Sequence, residues 1–195
     1  MKYNPDIHHR KSIRLKHYDY SQNGAYFVTI CTQERACLFG EIINGKMVMN
    51  NAGRMVQNVW DGIESHYVGI NTDAFIVIPN HFHGIIVIVG SGPRACPDVG
   101  DVQPQGVAPT LSFPDVVHRF KTMTTKQYAD GVKTQGWRSF RIRFWQRNDH
   151  EHIIRHGEDM NRIRQYIINN PLQWESDNEN PNNLVRAIRE SPLQN

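Results

Sequence analysis

An α+β fold with one antiparallel sheet is what the sequence predicts. Three observations carry this: four segments rich in β-branched and aromatic residues, longer segments with apolar residues at helical spacing, and the order in which they alternate. Strand, helix, strand, hairpin strand, helix, strand is the split βαβ pattern of a ferredoxin-like (RRM-like) sheet. Helices cover one face of that sheet, and a C-terminal helix carries Tyr166. In this topology the first and third strands are central. The 195 residues suit a single domain with a substantial core, burying about 70% of the unfolded surface.

The N-terminal residues 1–23 read as a flexible polar arm, either solvated or holding phosphates through Arg10 and Lys11. Ala25 to Thr32 is rich in β-branched and aromatic residues and forms the first core strand. Leu38 to Ile43 and Lys46 to Met49 flank Asn44-Gly45, a strong hairpin signal, and make a small accessory ribbon. Met55, Val56, Val59, Trp60 and Ile63 give residues 52–65 one apolar helical face. Asp73 to Ile78 is the second core strand. Pro79 and Asn80 then turn the chain into the third, His81 to Val89.

Glycine and proline punctuate residues 90–110, a flexible surface insertion. Ser112 caps a second helix with Pro114 in its first turn, and Val116, Phe120, Met123 and Gln127 lie along one side. Phe140 to Trp145 alternates aromatic, basic and apolar residues, which predicts the fourth core strand with Arg141 and Arg143 on one face. The last helix runs from Glu158 to Asn170 and stops at Pro171. Met160, Ile163, Ile167 and Ile168 form its apolar side, while Tyr166 and Asn170, four apart, share another face. Residues 175–195 read as a polar tail, with residues 183–190 helical.

Composition narrows the setting without naming a partner. Lys and Arg number 22 against 19 Asp and Glu, for a net charge of +3, with ten histidines. Cys31, Cys37 and Cys96, an odd and scattered set, fit neither a disulfide framework nor a Cys-rich zinc site. A cytoplasmic protein is expected, since no apolar run approaches ~18 residues and no signal-peptide core is present.

His81-Phe82-His83 is the stretch around which the chain is organised. Residues i and i+2 of a strand share a face, so the two imidazoles project together, half of a divalent-metal site. Taken alone, such a pair also suits ordinary polar residues at a strand end. His150, His152 and His156 make another cluster, but no strand or helix spacing unites all three. Basic residues on the second helix (Arg119, Lys121, Lys126) and at Arg141 and Arg143 suit a nucleic-acid surface or a solvated face. Trp137, Trp145 and Trp174 suit packing or base stacking.

Pro79-Asn80-His81-Phe82-His83 together with Tyr166-Ile167-Ile168-Asn169-Asn170-Pro171 resembles the single-tyrosine HUH transposases, and most of all their REP-associated tyrosine transposase branch. Tyr26-Phe27-Val28-Thr29, Phe120-Lys121, Thr124-Thr125, Phe144-Trp145-Gln146-Arg147 and Glu151 to Arg155 add to the likeness, which spans about residues 12–174. The resemblance implies cutting and rejoining of single-stranded DNA next to hairpins. Tyr166 matches the nucleophile; His81, His83 and Asn170 match the ligands of Mg2+ or Mn2+. It implies single-stranded or hairpin DNA as partner, as one chain or a homodimer, nucleoid-associated when bound, with no membrane. Asp149-His150 departs from relatives, which often carry aromatics there. Three classes stay open: a strand transferase, a catalytically inactive hairpin-DNA-binding regulator, and a metal phosphodiesterase using water.

Overall fold

The computed structural model describes residues 14–15, 17–89 and 111–183. Arg10, Lys11, Cys96, the 90–110 insertion and the expected helix beyond residue 183 lie outside the described residues. Four strands make the main sheet in the order β4-β5-β1-β6: β1 (Gly24–Cys31), β4 (Ile70–Ile78), β5 (His81–Ile88) and β6 (His150–Ile154). Every pairing is antiparallel, and β1 and β5 are central, as the ferredoxin-like pattern predicts. The hairpin β2 (Gly40–Ile43) and β3 (Lys46–Met49) forms a separate ribbon. Asn44 (φ 51) and Gly45 (φ 70) both take the left-handed conformation that a two-residue turn requires.

Two layers cover the sheet. On one face lie α1 (Asn51–Asp61), α2 (Ile63–His66) and α3 (Phe113–Gln135). Trp60, Val56, Phe120 and Val116 pack there against Tyr26, Val28, Ile30, Phe82 and Ile86. Ser112 N donates to Asp115 Oδ2 at 3.2 Å at the start of α3, and Gly136 (φ 68) ends it. On the other face α4 (Gly157–Asn169) lays Met160, Ile163 and Ile167 over Ile85 and Ile154. Ile168, read as part of that apolar side, is 61% exposed instead. Period-2 alternation along β5 thus sends Phe82 and Ile86 to the helical core and His81, His83 and Ile85 to the α4 side.

The fourth strand is not Phe140 to Trp145, as the alternation suggested, but His150–Ile154. Phe140 and Phe144 fold inward onto Tyr128, with ring centroids 5.9 and 4.3 Å away. Ile142 takes φ 59, and of this stretch only Trp145 bridges to Thr32. Aromatic side chains gathered on one partner pull the backbone out of an extended course, so their alternation does not mark pairing. The arm reading also needs correction at its end. Tyr20 is buried between Tyr26 and Phe113, and its hydroxyl bonds Glu151.

Candidate active site

The register Thr29↔His83 and Cys31↔His81 brings β1 side chains beside both imidazoles. His81 and His83 are buried, with their Nε2 atoms 3.1 Å apart. Neighbouring bonds settle which nitrogen carries the proton. Asn80 Nδ2 donates to Arg35 O (3.0 Å) and Glu179 O (2.7 Å), so its amide oxygen must face His81 Nδ1 at 2.9 Å. That nitrogen therefore donates, and His81 Nε2 is left with a bare lone pair. At His83 the amide Nδ2 of Asn170 (3.3 Å) and the hydroxyl of Tyr166 (3.5 Å) approach Nε2 as donors. Its Nδ1 then donates to Thr29 Oγ1 at 2.8 Å.

Burial holds both histidines below their ordinary pKa, and at His83 the neighbouring His81 adds to the effect. Both are neutral, the form in which imidazole binds a metal. Two nitrogens each ~2.1 Å from one ion stand about 3.0 Å apart when they meet it at right angles. The observed 3.1 Å fits that spacing. Asn170 supplies a further sign, since its buried Oδ1 has no hydrogen-bond partner. An orphaned amide oxygen beside two unprotonated imidazole nitrogens is a donor set suited to a divalent cation. Among the described residues no three His, Cys, Asp or Glu side chains already surround one point closely enough to hold an ion. The third donor here is an amide, which lies outside those types.

Tyr166 is placed by α4, and α4 is tied to both edges of the sheet. At one edge Asp159 Oδ2 meets His152 Nε2 of β6 at 2.7 Å. At the other, Arg164 makes a bidentate pair with Asp73 of β4 at 2.8 and 2.7 Å. Ile163 and Ile167 pack between these ties, and Tyr166 faces the histidines with its ring edge-on to Phe27 and His83. The residue is 41% exposed, so a substrate can reach it. Burial of the phenol, then the carboxylate of Asp177, raises its pKa above the usual 10. The adjoining cavity of about 290 Å3 is lined by His81, His83, His150, Tyr166, Asp177 and Glu179 among others.

The structure thus brings together His81, His83, Tyr166 and Asn170. It disperses the basic residues. Arg119 lies over the Tyr67 ring at 5.0 Å. Lys121 Nζ bonds Gln146 O (2.8 Å) and Asp149 Oδ1 (3.4 Å), which explains the acidic residue at Asp149: it neutralises Lys121 and Arg14. Lys126 and Arg143 line a separate groove between α3 and residues 140–147, with the exposed Ile142 at its rim, while Arg141 is exposed nearby. Trp145 is a packing residue, donating Nε1 to Thr124. His150, His152 and His156 stay apart in role: cavity wall, partner of Asp159, and cap of α4. The sequence marks Thr29 and Asn80 only as parts of the stretches that carry the resemblance, and Asn80 also as a turn residue, without a role for either; Asp177 it does not mark at all. Asn80 is adjacent to the pair and could have been suspected; the other two depend on contacts distant in sequence.

No protein-family model matches the chain. Among curated proteins, one from Haemophilus influenzae (strain ATCC 51907 / DSM 11121 / KW20 / Rd) is 40% identical over 182 residues, spanning 90% of this chain and 96% of that protein. It is described as uncharacterized. Among solved structures, a REP-associated tyrosine transposase bound to a REP hairpin aligns with TM-score 0.51 and 18% identity, covering 84% of this chain and 74% of that one. A candidate transposase from Deinococcus radiodurans r1 aligns with TM-score 0.42 and 16% identity, over 80% of this chain and 95% of its own. The chain belongs to the same family as the Haemophilus influenzae protein, and its fold is that of the REP-associated tyrosine transposase.

Proposed function

We propose that this chain is a metal-dependent single-stranded DNA transposase, cutting and rejoining DNA near hairpins by transesterification through Tyr166. One observation carries the reading: Tyr166 Oη lies 3.5 Å from His83 Nε2, in a cluster that also holds His81 Nε2, 3.1 Å from His83 Nε2, and the unpartnered Asn170 Oδ1. The fold shared with a transposase bound to a REP hairpin is consistent with a DNA substrate. Single-stranded DNA would enter by the exposed edge of Tyr166, with Lys126, Arg141 and Arg143 available for phosphates, and with Arg10 and Lys11 on the N-terminal arm.

Asn80 and Thr29 keep the two Nε2 atoms unprotonated, and His81, His83 and Asn170 would hold Mg2+ or Mn2+. When bound, that cation supplies Lewis acidity at a non-bridging phosphate oxygen and eases loss of the phenolic proton. Tyr166 Oη attacks phosphorus in line. An O–P bond to the tyrosine forms as the bond to the 3′ oxygen breaks, and that oxygen leaves as a 3′-hydroxyl. The 5′-phosphotyrosine keeps the phosphodiester's energy, so another 3′-hydroxyl can displace Tyr166 by the reverse step. No net hydrolysis occurs.

Covalent capture tests this. Protein and Tyr166→Phe are mixed with end-labelled single-stranded oligonucleotides from the flanks of the gene, with Mn2+ or EDTA. A denaturation-resistant adduct that needs both Mn2+ and Tyr166 is the expected result. Hairpin binding with no adduct would replace the reading with a DNA-binding regulator, and cleavage by Tyr166→Phe would indicate a hydrolase using water.

A further inference from the structure

The three donors at the candidate site carry no negative charge between them, since both imidazoles are neutral and the third group is an amide. Mg2+ and Mn2+ are hard cations that take oxygen ligands and are ordinarily held through at least one carboxylate. Two carboxylates reach this cavity, both from the segment following the 3-10 helix Asn170–Ser176. Glu179 is committed elsewhere: both its oxygens pair with Arg35, at 2.7 and 3.3 Å. Asp177 is arranged differently. Its Oδ1 accepts from Glu179 N at 2.6 Å, while Oδ2 lies 3.9 Å from His81 Nε2.

That distance falls within the spread of about 3 to 4 Å separating ligands that share one ion with bonds of ~2.1 Å. The backbone beneath Asp177 is held as well. Its N–H donates to Trp174 O (3.2 Å), its carbonyl accepts from Asn183 Nδ2 (2.9 Å), and the next turn is pinned by Asn80 Nδ2 to Glu179 O (2.7 Å). One amide, Asn80, thus orients His81 and anchors the segment bearing Asp177. One oxygen of this carboxylate is tied back and the other lies near His81; the Asp177 side chain has to move inward to share an ion with both imidazoles, since the three do not yet surround one point.

We infer that Asp177 is a further metal-binding residue, its Oδ2 completing the set formed by His81, His83 and Asn170 and supplying that set's only negative charge. The inference rests on the metal-dependent reading given above and adds a residue to it. The same carboxylate works against Tyr166 when no cation is bound, since negative charge beside a phenol disfavours phenolate.

Mn2+ titration of the full chain by calorimetry tests this, with Asp177→Asn as the variant. The amide keeps an oxygen for the Glu179 N–H, so the segment is preserved while the charge is lost. Expected is at least tenfold weaker Mn2+ binding, in line with the ~10–100-fold losses that even outer-shell changes cause. Zn2+, which relies less on carboxylate oxygen, weakens less. Asp177→Glu, which restores the charge, recovers part of the Mn2+ affinity and guards against a folding defect in the amide variant. Wild type binding Mn2+ with Asp177→Asn unchanged overturns the role of Asp177 and leaves the metal reading standing. No Mn2+ binding by wild type overturns both.

Discussion

Replacing Asn80 by alanine should damage stability and metal binding together. The substitution removes donors to Arg35 O and Glu179 O at 3.0 and 2.7 Å, and the acceptor of His81 Nδ1 at 2.9 Å. At ~1 kcal/mol net for each buried hydrogen bond, the loss is about 3 kcal/mol. For a chain of this size 1 kcal/mol shifts the midpoint by about 2–4 °C, so thermal unfolding in EDTA should fall by about 6–12 °C. His81, no longer held in one tautomer, should bind Mn2+ some 10–100-fold more weakly in calorimetry. Asn80→Asp separates the two effects: its carboxylate still accepts from His81 Nδ1, but both donors are gone. It should lose stability and keep more of the Mn2+ affinity than Asn80→Ala. If Asn80→Ala unfolds early yet binds Mn2+ as tightly as wild type, the reasoning about His81 is wrong.

Gly84→Ala should cost about 1–3 kcal/mol by overpacking, because a Cβ there would stand 2.6–2.7 Å from ring atoms of Trp60 and Phe82; denaturant unfolding checks this. Asp159, held at a pKa of about 2 by His152 and then Arg162, lies below its unfolded value, so it stabilises the fold above pH ~4 and loses that contribution as pH falls toward 2. Asp159→Asn should flatten that part of the acid limb in a pH series of unfolding curves. The two site histidines act at milder pH. Their folded pKa values are depressed, so the unfolded chain takes up protons first below ~6.5, and ion-free stability should decline from there. His83→Gln should reduce that decline. Lys126→Ala should lower the salt slope of DNA binding by about 1, whereas Lys121→Ala should chiefly lower the unfolding midpoint, because Lys121 Nζ is spent on Gln146 O and Asp149.

Local patterning determined much of this protein. Period-2 alternation in β1 and β5 set which side chains enter the core and required His81 and His83 to share a face. The i, i+4 spacing of a helix did the same for Tyr166 and Asn170, and Asn44-Gly45 specified its own turn. What failed to show was set by distant contacts. The short edge strand β6 reads His-Glu-His-Ile-Ile, without an apolar alternation of its own, and is a strand because β1 offers it a partner. Phe140 to Trp145 carries the better strand pattern, but Tyr128 and Thr124 capture its rings and indole instead. Whether α4 would lie over the histidines was likewise decided in three dimensions, by Asp159 with His152 at one edge and Arg164 with Asp73 at the other. Asp177 follows the same logic. Nothing near it in the chain marks it, and only the folding-back of its segment onto Asn80 and Arg35 turns a polar tail residue toward a buried imidazole.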